Sequence, residues 1–256
     1  MKSVLILSSI LMLMLCATVT YGQDESLVLA LSFDEGQGNE AKDFSKYGFK
    51  ATIEGPKWGM GKFGKALEFD GVDDIAKIAD APQLRLLNGG TLMAWAYILS
   101  GGHASWPRLL HKANTTAGTG PGYEVLFDRA NGDAVRVCLG SACLDSFVEM
   151  KLNRETWYHI AVIFDGKTVK VYVNANLVAE KNQPGPIIDS PDIPIIIGNS
   201  FNAQRQFQGT IDEIRIWSRA LKADEIKAQM NIGTQGVISS INPKSKIATT
   251  WAYLKN

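Results

Sequence analysis

The side chains of this chain that could do chemistry form a few small groups. Cys138 and Cys143 bracket Leu139-Gly140-Ser141-Ala142. If Gly140-Ser141 is a two-residue turn, Leu139 faces Ala142 and Cys138 faces Cys143, at the pair where antiparallel strands approach most closely. That spacing accepts a disulfide in an oxidising compartment, with a metal pair or two free thiols as the alternatives. A metal would want two further soft ligands, and this hairpin has none. The histidines, His103, His111 and His159, are far apart, and no Gly-x-Ser-x-Gly elbow is present, so nucleophilic hydrolysis has no visible machinery.

A carbohydrate site would use aromatic platforms beside a few directional polar groups. The segment Gly101-Gly-His103-Ala-Ser-Trp106-Pro107, followed by the stretch to Tyr123, is the best candidate, because a Trp among Gly and Pro is hard to place in a core. His103, Trp106 and Tyr123 are therefore the expected ligand-binding residues, against the plainer reading that loop aromatics pack beneath their loops. Asn114-Thr115-Thr116 is a glycosylation sequon. Near the other end, Asp212-Glu213 interrupts an apolar strand whose alternation sets Ile211, Glu213 and Arg215 against Asp212, Ile214 and Ile216.

The elements that must position these residues are mostly short strands. Residues 1–22 read instead as a secretory signal peptide: Met1-Lys2, an apolar run from Val4 to Cys16, and the small-residue site at Thr20-Tyr21-Gly22. A lipoprotein box at Leu13 to Cys16 is disfavoured by the bulk of Leu15. The remainder reads as one domain over 23–231 and a tail over 232–256, with no transmembrane segment in the mature chain. Lys plus Arg and Asp plus Glu each number 26, which leaves no basic footprint for nucleic acid. Alternation such as Leu92, Ala94, Ala96 and Ile98 against Trp95 and Tyr97 recurs from Leu27 to Trp217, punctuated by Asn131-Gly132 and Asp165-Gly166. Lys222 to Met230 is the one convincing helix. The pattern predicts an all-β, antiparallel sandwich or barrel.

Several of these segments, in this order, resemble laminin-G-like (LamG) domains of the concanavalin A-like lectin/glucanase superfamily. They are Leu27 to Glu35, Phe63-Gly64-Lys65-Ala66-Leu67-Glu68-Phe69-Asp70-Gly71-Val72-Asp73-Asp74, Thr91 to Trp95, Thr156 to Val162, Val169 to Val173, Ile197-Gly198 and Gly209 to Ile226. The resemblance implies a two-sheet jelly-roll sandwich with one short C-terminal helix. It also implies a secreted, non-catalytic module that recognises an extracellular glycan or protein, a purely structural module being the neighbouring reading. The superfamily contains glycanases that use Glu-x-Asp-x-x-Glu, with carboxylates about 5 Å apart. Here Asp73 replaces the second Glu and Gly71 breaks the strand, so catalysis is not expected. In such jelly rolls the first and last strands are neighbours, which would bring Asp34 near Asp212, with Asp43 on the next loop. Those three are the expected calcium ligands, calcium being the one cofactor considered. The rival reading has Asp212 and Glu213 bonded to loop amides or paired with Arg215 or Lys42. Asn174-Ala175-Asn176 stands where the family has Asp-Gly or Asn-Gly, and a turn placing Asn rather than Ala175 at positive φ is expected.

Overall fold

The computed structural model describes residues 24–99, 104–115, 120–140, 142–144, 151–183, 185 and 187–236. The signal-peptide reading of 1–22, His103, and the tail beyond residue 236 lie outside the described residues. In chain order the strands are β1 (Leu27–Leu31), β2 (Glu40–Lys42), β3 (Lys50–Glu54), β4 (Lys57–Met60), β5 (Lys65–Asp70), β6 (Ile75–Ile78), β7 (Gly90–Ile98) and β8 (Arg108–Lys112). They continue with β9 (Tyr123–Asp128), β10 (Ala134–Leu139), β11 (Ala142–Leu144), β12 (Trp157–Phe164), β13 (Thr168–Val173), β14 (Asn176–Asn182), β15 (Ile195–Ile197) and β16 (Gln208–Trp217). A helix, α1 (Ala223–Met230), follows. Among the described residues no helix is long and apolar enough to cross a membrane.

The strands form two antiparallel sheets. The first runs β14-β13-β12-β7-β16-β5-β4, with β1 added on β16; the second runs β11-β10-β9-β8-β15-β6-β3-β2. Alternation decides which side chains meet between them. Leu92, Ala94, Ala96 and Ile98 of β7 and Ile160 and Val162 of β12 face Tyr123, Val125 and Phe127 of β9 and Val135 and Val137 of β10 in one buried core. This is the two-sheet jelly-roll sandwich that the resemblance implies.

The acid-containing strand solves its own problem with a bulge. Its register on β7 jumps from Asp212↔Trp95 to Arg215↔Met93, and Glu213 takes a left-handed φ of 57°. One residue is thereby looped out. Ile211, Ile214 and Ile216 all reach the core, while Asp212 and Arg215 point away from it. The simple alternation over 211–216 is corrected accordingly, since it would have buried Asp212 beside Ile214.

Arg215 then fastens the C-terminal segment over the first sheet. Its guanidinium donates to the Gln229 and Ile232 carbonyls, to Thr234 Oγ1 and to the Glu213 carboxylate, which also accepts from Thr234 N–H. Beneath α1 a second apolar cluster joins Leu27, Met93, Ile163, Trp217, Leu221 and Ile226. Part of the outer surface of the first sheet is therefore covered. That of the second sheet carries different chemistry.

Two turns report on local sequence. Leu139 pairs with Ala142 and Cys138 with Cys143, as the spacing requires, and the two cysteines are joined by a disulfide. At the β13–β14 hairpin, Val173 pairs with Asn176, and both central residues, Asn174 (φ 50°) and Ala175 (φ 60°), are left-handed. The hairpin has kept the two-residue turn and forced Ala175 into it, contrary to the expectation that Ala would be spared.

Candidate functional site

The outer surface of the second sheet holds a polar row that the core pattern leaves behind. On β9, Tyr123, Val125 and Phe127 face inward, so Glu124 and Leu126 face out. Strand pairing places Arg108 and Arg136 on either side of Leu126, and places His111 beside Glu124. Glu124 accepts an ion pair from Arg108 Nε at 2.6 Å and lies 3.0 Å from His111 Nδ1. All three side chains are buried. Burial works to raise the Glu124 pKa, but the His111 contact and the Arg108 charge outweigh it and hold it below the usual carboxylate value. Burial lowers the Arg108 pKa, and Arg205 and Arg136 push it in the same direction.

Two aromatic side chains rise from this floor. Phe201 stacks on the His111 ring at 6.0 Å and remains 49% exposed. Trp106 is 37% exposed, with the guanidinium carbon of Arg205 5.1 Å and that of Arg136 5.8 Å from its ring centroid. The backbone fixes the arrangement: Arg108 N–H donates to the Arg205 carbonyl, and an Arg108 guanidinium N–H donates to the Trp106 carbonyl. Trp106 is thus on the surface, where the sequence places it. Tyr123 is not. As the first residue of β9 it points into the core, and its hydroxyl donates to the Leu84 carbonyl. Burial pushes that phenol far above its ordinary pKa, so Tyr123 is corrected from ligand platform to core residue. Phe201, Arg136 and Arg205 escaped sequence reading, although Arg136 stands at an outward position of a plainly alternating strand.

The acids expected to hold calcium divide. Asp34 and Asp212 do approach each other at the seam of the first and last strands, close enough for the Asp34 charge to be felt at Asp212. Between them sits a loop: Asp34 Oδ1 accepts from Lys65 N–H and Asp212 Oδ2 from Phe63 N–H. Gly64 lies so close to Asp34 that any side chain there would collide with the carboxylate. Asp43 spends both oxygens on Ala30, Ser45 and Phe49 N–H groups and on the Ser45 hydroxyl. Calcium requires six to eight oxygens. Asp34, Asp43 and Asp212 do not converge as one set of ligand atoms: Asp43 is spent on its own turn, while Asp34 and Asp212 each give one oxygen to a backbone amide and Asp212 Oδ1 has no partner. Among the described residues, the carboxylates that converge are Asp70, Asp73 and Asp74, with ligand atoms within 4.8 Å of one another.

Asp212 is nevertheless unusual. Buried completely, with Oδ1 unpartnered and Glu213 and Asp34 nearby, its pKa is pushed up to about 8, chiefly by burial. In the same row across the sheet stand Trp95 and His159, their rings 5.4 Å apart, with Lys62 4.5 Å above Trp95. Burial, aided by Arg215, holds the His159 pKa down at about 3, so this imidazole is neutral.

A pocket of about 440 Å3 opens at the edge of the first sheet, lined by Lys57, Glu68, Asp70, Asp74, Tyr97, Gln208 and Thr210 among others. It contains the carboxylates of the glycanase-like stretch, but on one side only. Glu68, Asp70 and Asp74 come from β5 and the turn after it, whereas β7 and β16 supply Tyr97, Gln208 and Thr210. A glycosidase needs two carboxylates flanking the scissile bond. Asp74, moreover, is engaged with Asp70 N–H.

A two-sheet jelly roll closed by its own first and last strands, with aromatic side chains raised over one sheet, defines a lectin-type fold. The chain belongs to the concanavalin A-like lectin/glucanase superfamily: the Laminin_G_3 family model matches residues 70–227. No curated protein matches the sequence. Among solved structures, it is similar to the binding domain of Paraclostridial Mosquitocidal Protein 1 (16% identity, TM-score 0.61, covering 80% of this chain and 52% of that one). It is also similar to domain 4 of AbnA, an extracellular arabinanase from Geobacillus stearothermophilus, in complex with arabinotriose (20% identity, TM-score 0.60, 80% and 98% covered). A third is the binding domain of botulinum neurotoxin serotype D (14%, 0.61, 80% and 51%). The chain therefore spans about half the length of the toxin binding domains and nearly all of the arabinanase domain. At these identities the likeness is one of fold.

Proposed function

We propose that this protein is a secreted, non-catalytic binding module that recognises an extracellular glycan or protein, with the outer surface of the second sheet as its contact face. The observation that carries this reading is the pair of half-exposed aromatics, Trp106 and Phe201, above a buried Arg108–Glu124–His111 floor. Aromatic rings present apolar area to the faces of sugar rings or to a partner's side chains, while fixed polar groups set orientation. On the opposite sheet, α1 and its cluster cover part of the outer surface. The relatives' description as binding domains, and one relative's complex with arabinotriose, support the same reading by analogy. The one-sided carboxylates of the other pocket argue against glycan cleavage. The disulfide suits an oxidising, extracytoplasmic compartment.

The test is a glycan array probed with the mature protein and with Trp106→Ala. Wild type is expected to bind a defined glycan group, and the variant to lose that binding with an unchanged thermal melt. Wild-type binding to no glycan, or equal binding by the variant, would sink the glycan form of the proposal.

A further inference from the structure

Beyond the contact face just proposed, and on the opposite sheet, we infer that the pocket at the edge of the first sheet is a second, separate site that takes a short saccharide bearing a protonated amino group. Strand register builds it from one row. Lys57 of β4 stands opposite Glu68 of β5, Glu68 opposite Thr210 of β16, Thr210 opposite Tyr97 of β7, and Tyr97 opposite Trp157 of β12. Asp70 and Gln208, the outward pair two residues further along β5 and β16, extend the lining. The volume of about 440 Å3 is that of a small-ligand site. Only the pairing of five strands joins these residues, which the sequence spreads from 57 to 210.

The polar groups of this pocket lack partners within the described chain. Thr210 is only 8% exposed, yet its hydroxyl makes no hydrogen bond to any described residue. Gln208 Oε1 is buried and is also unpartnered. Groups of this kind are costly to desolvate unless a ligand satisfies them. Two glycines make room for the acids: the Glu68 carboxylate lies so close to Gly59, and that of Asp74 to Gly55, that a Cβ at either glycine would collide with it. Among the described residues none of Glu68, Asp70 and Asp74 forms an ion pair, although Asp70 accepts from Val72 N–H and Asp74 from Asp70 N–H. Lys57 is the one cation among the described lining residues, and Lys62 lies over Trp95, two residues along β7 from Tyr97. Acceptors and negative charge are therefore in excess. Burial raises the Asp74 pKa and the charges of Asp70 and Asp73 push it the same way, a repulsion that an ammonium relieves and a neutral hydroxyl does not. Tyr97 and Trp157, half-buried with rings 5.5 Å apart, give the sugar ring an apolar face and the cation an aromatic neighbour.

The experiment is calorimetric titration of the mature protein at about pH 6, where such amines are protonated. The probes are a glucosamine trisaccharide, its N-acetylated counterpart, neutral cellotriose, and N-acetyl-lysine methylamide as an amine without a sugar. The glucosamine trisaccharide should bind at least about tenfold more tightly than each of the others, one charge-assisted hydrogen bond being worth about that factor. Glu68→Gln should cost about tenfold for that probe and Thr210→Val less, and rising salt should weaken wild-type binding more than that of Glu68→Gln. Circular dichroism melts check that the variants fold, and Glu68→Gln should leave Trp106-dependent binding on the glycan array unchanged. Equal affinity for the acetylated or the neutral trisaccharide would overturn the amine, and equal affinity for the lysine derivative would overturn the saccharide and mark a peptide amine instead. Glucosamine binding that is indifferent to both Glu68→Gln and Thr210→Val, or that is abolished by Trp106→Ala, would overturn the site. Absence of binding by every probe would overturn the inference and leave the second-sheet reading standing.

Discussion

Replacing Asp212 with asparagine removes one proton-binding group from the seam where the first and last strands meet. In the folded protein Asp212 is fully buried, its Oδ1 is unpartnered, and its pKa is about 8 against 3.8 in an ordinary environment. Burial is the main cause, with Glu213 and Asp34 adding like charge; Arg215 and Lys62 bring positive charge to the same neighbourhood. The unfolded chain releases the proton near pH 4, whereas the folded chain keeps it until about pH 8. Between those values the native state binds more protons than the unfolded state, so stability falls as pH rises, by about 1.4 kcal/mol per unit for this one group. Asparagine mimics the protonated carboxyl and has nothing to lose. Urea unfolding followed by tryptophan fluorescence should therefore show the Asp212→Asn variant gaining on wild type by about 2 kcal/mol between about pH 6 and about pH 8, where the folded group is itself half deprotonated. The asparagine oxygen can still accept the Phe63 N–H, so the loop anchor survives. Parallel stability curves for the two proteins across that window would refute the reasoning.

Three further outcomes follow from single features. Ala175→Gly should raise stability by about 0.5–1 kcal/mol, because alanine at φ 60° carries strain that glycine escapes; an unchanged or lowered urea midpoint would contradict this. Asp34→Ala should cost about 1 kcal/mol through the lost Lys65 N–H bond, equally in calcium and in chelator; a loss confined to calcium-containing buffer would put an ion at the seam. Replacing both Cys138 and Cys143 with alanine should cost about 2 kcal/mol, the worth of a very short closed loop, and leave a folded protein with a lower thermal midpoint.

Much of the sandwich was legible because its core strands alternate cleanly. The segments Thr91 to Trp95, Trp157 to Val162 and Val169 to Val173 fall in β7, β12 and β13. β8 escaped, since Arg108-Leu-Leu-His-Lys112 has charge at both ends, and only the fold supplies the partners, Glu124 for Arg108 and Asp80 for Lys112, that let those charges be buried. β3 escaped because Lys50, Thr52 and Glu54 leave just Ala51 and Ile53 as its apolar signal. The Glu213 bulge was invisible for a similar reason: a one-residue insertion is written in the pairing of two strands, not in either strand alone. At the candidate site, Trp106 was readable from its Gly and Pro neighbours. Tyr123 misled because it follows the same loop, yet it opens a strand whose parity turns it inward. Arg136 and Arg205 could not be joined to Trp106 from sequence, since their meeting depends on two sheets' worth of strand order.

The outer face of the second sheet is the proposed binding surface. Its most direct test is a backbone NMR titration of the labelled mature protein with the tightest glycan or protein ligand found by screening. Resonances of Trp106, Arg136, Phe201 and Arg205 should shift together with a single dissociation constant, while those of Asp34, Phe63 and α1 stay fixed. Shifts confined to Tyr97, Gln208 and Thr210, or to the α1 surface, would place binding on the first sheet and contradict the account.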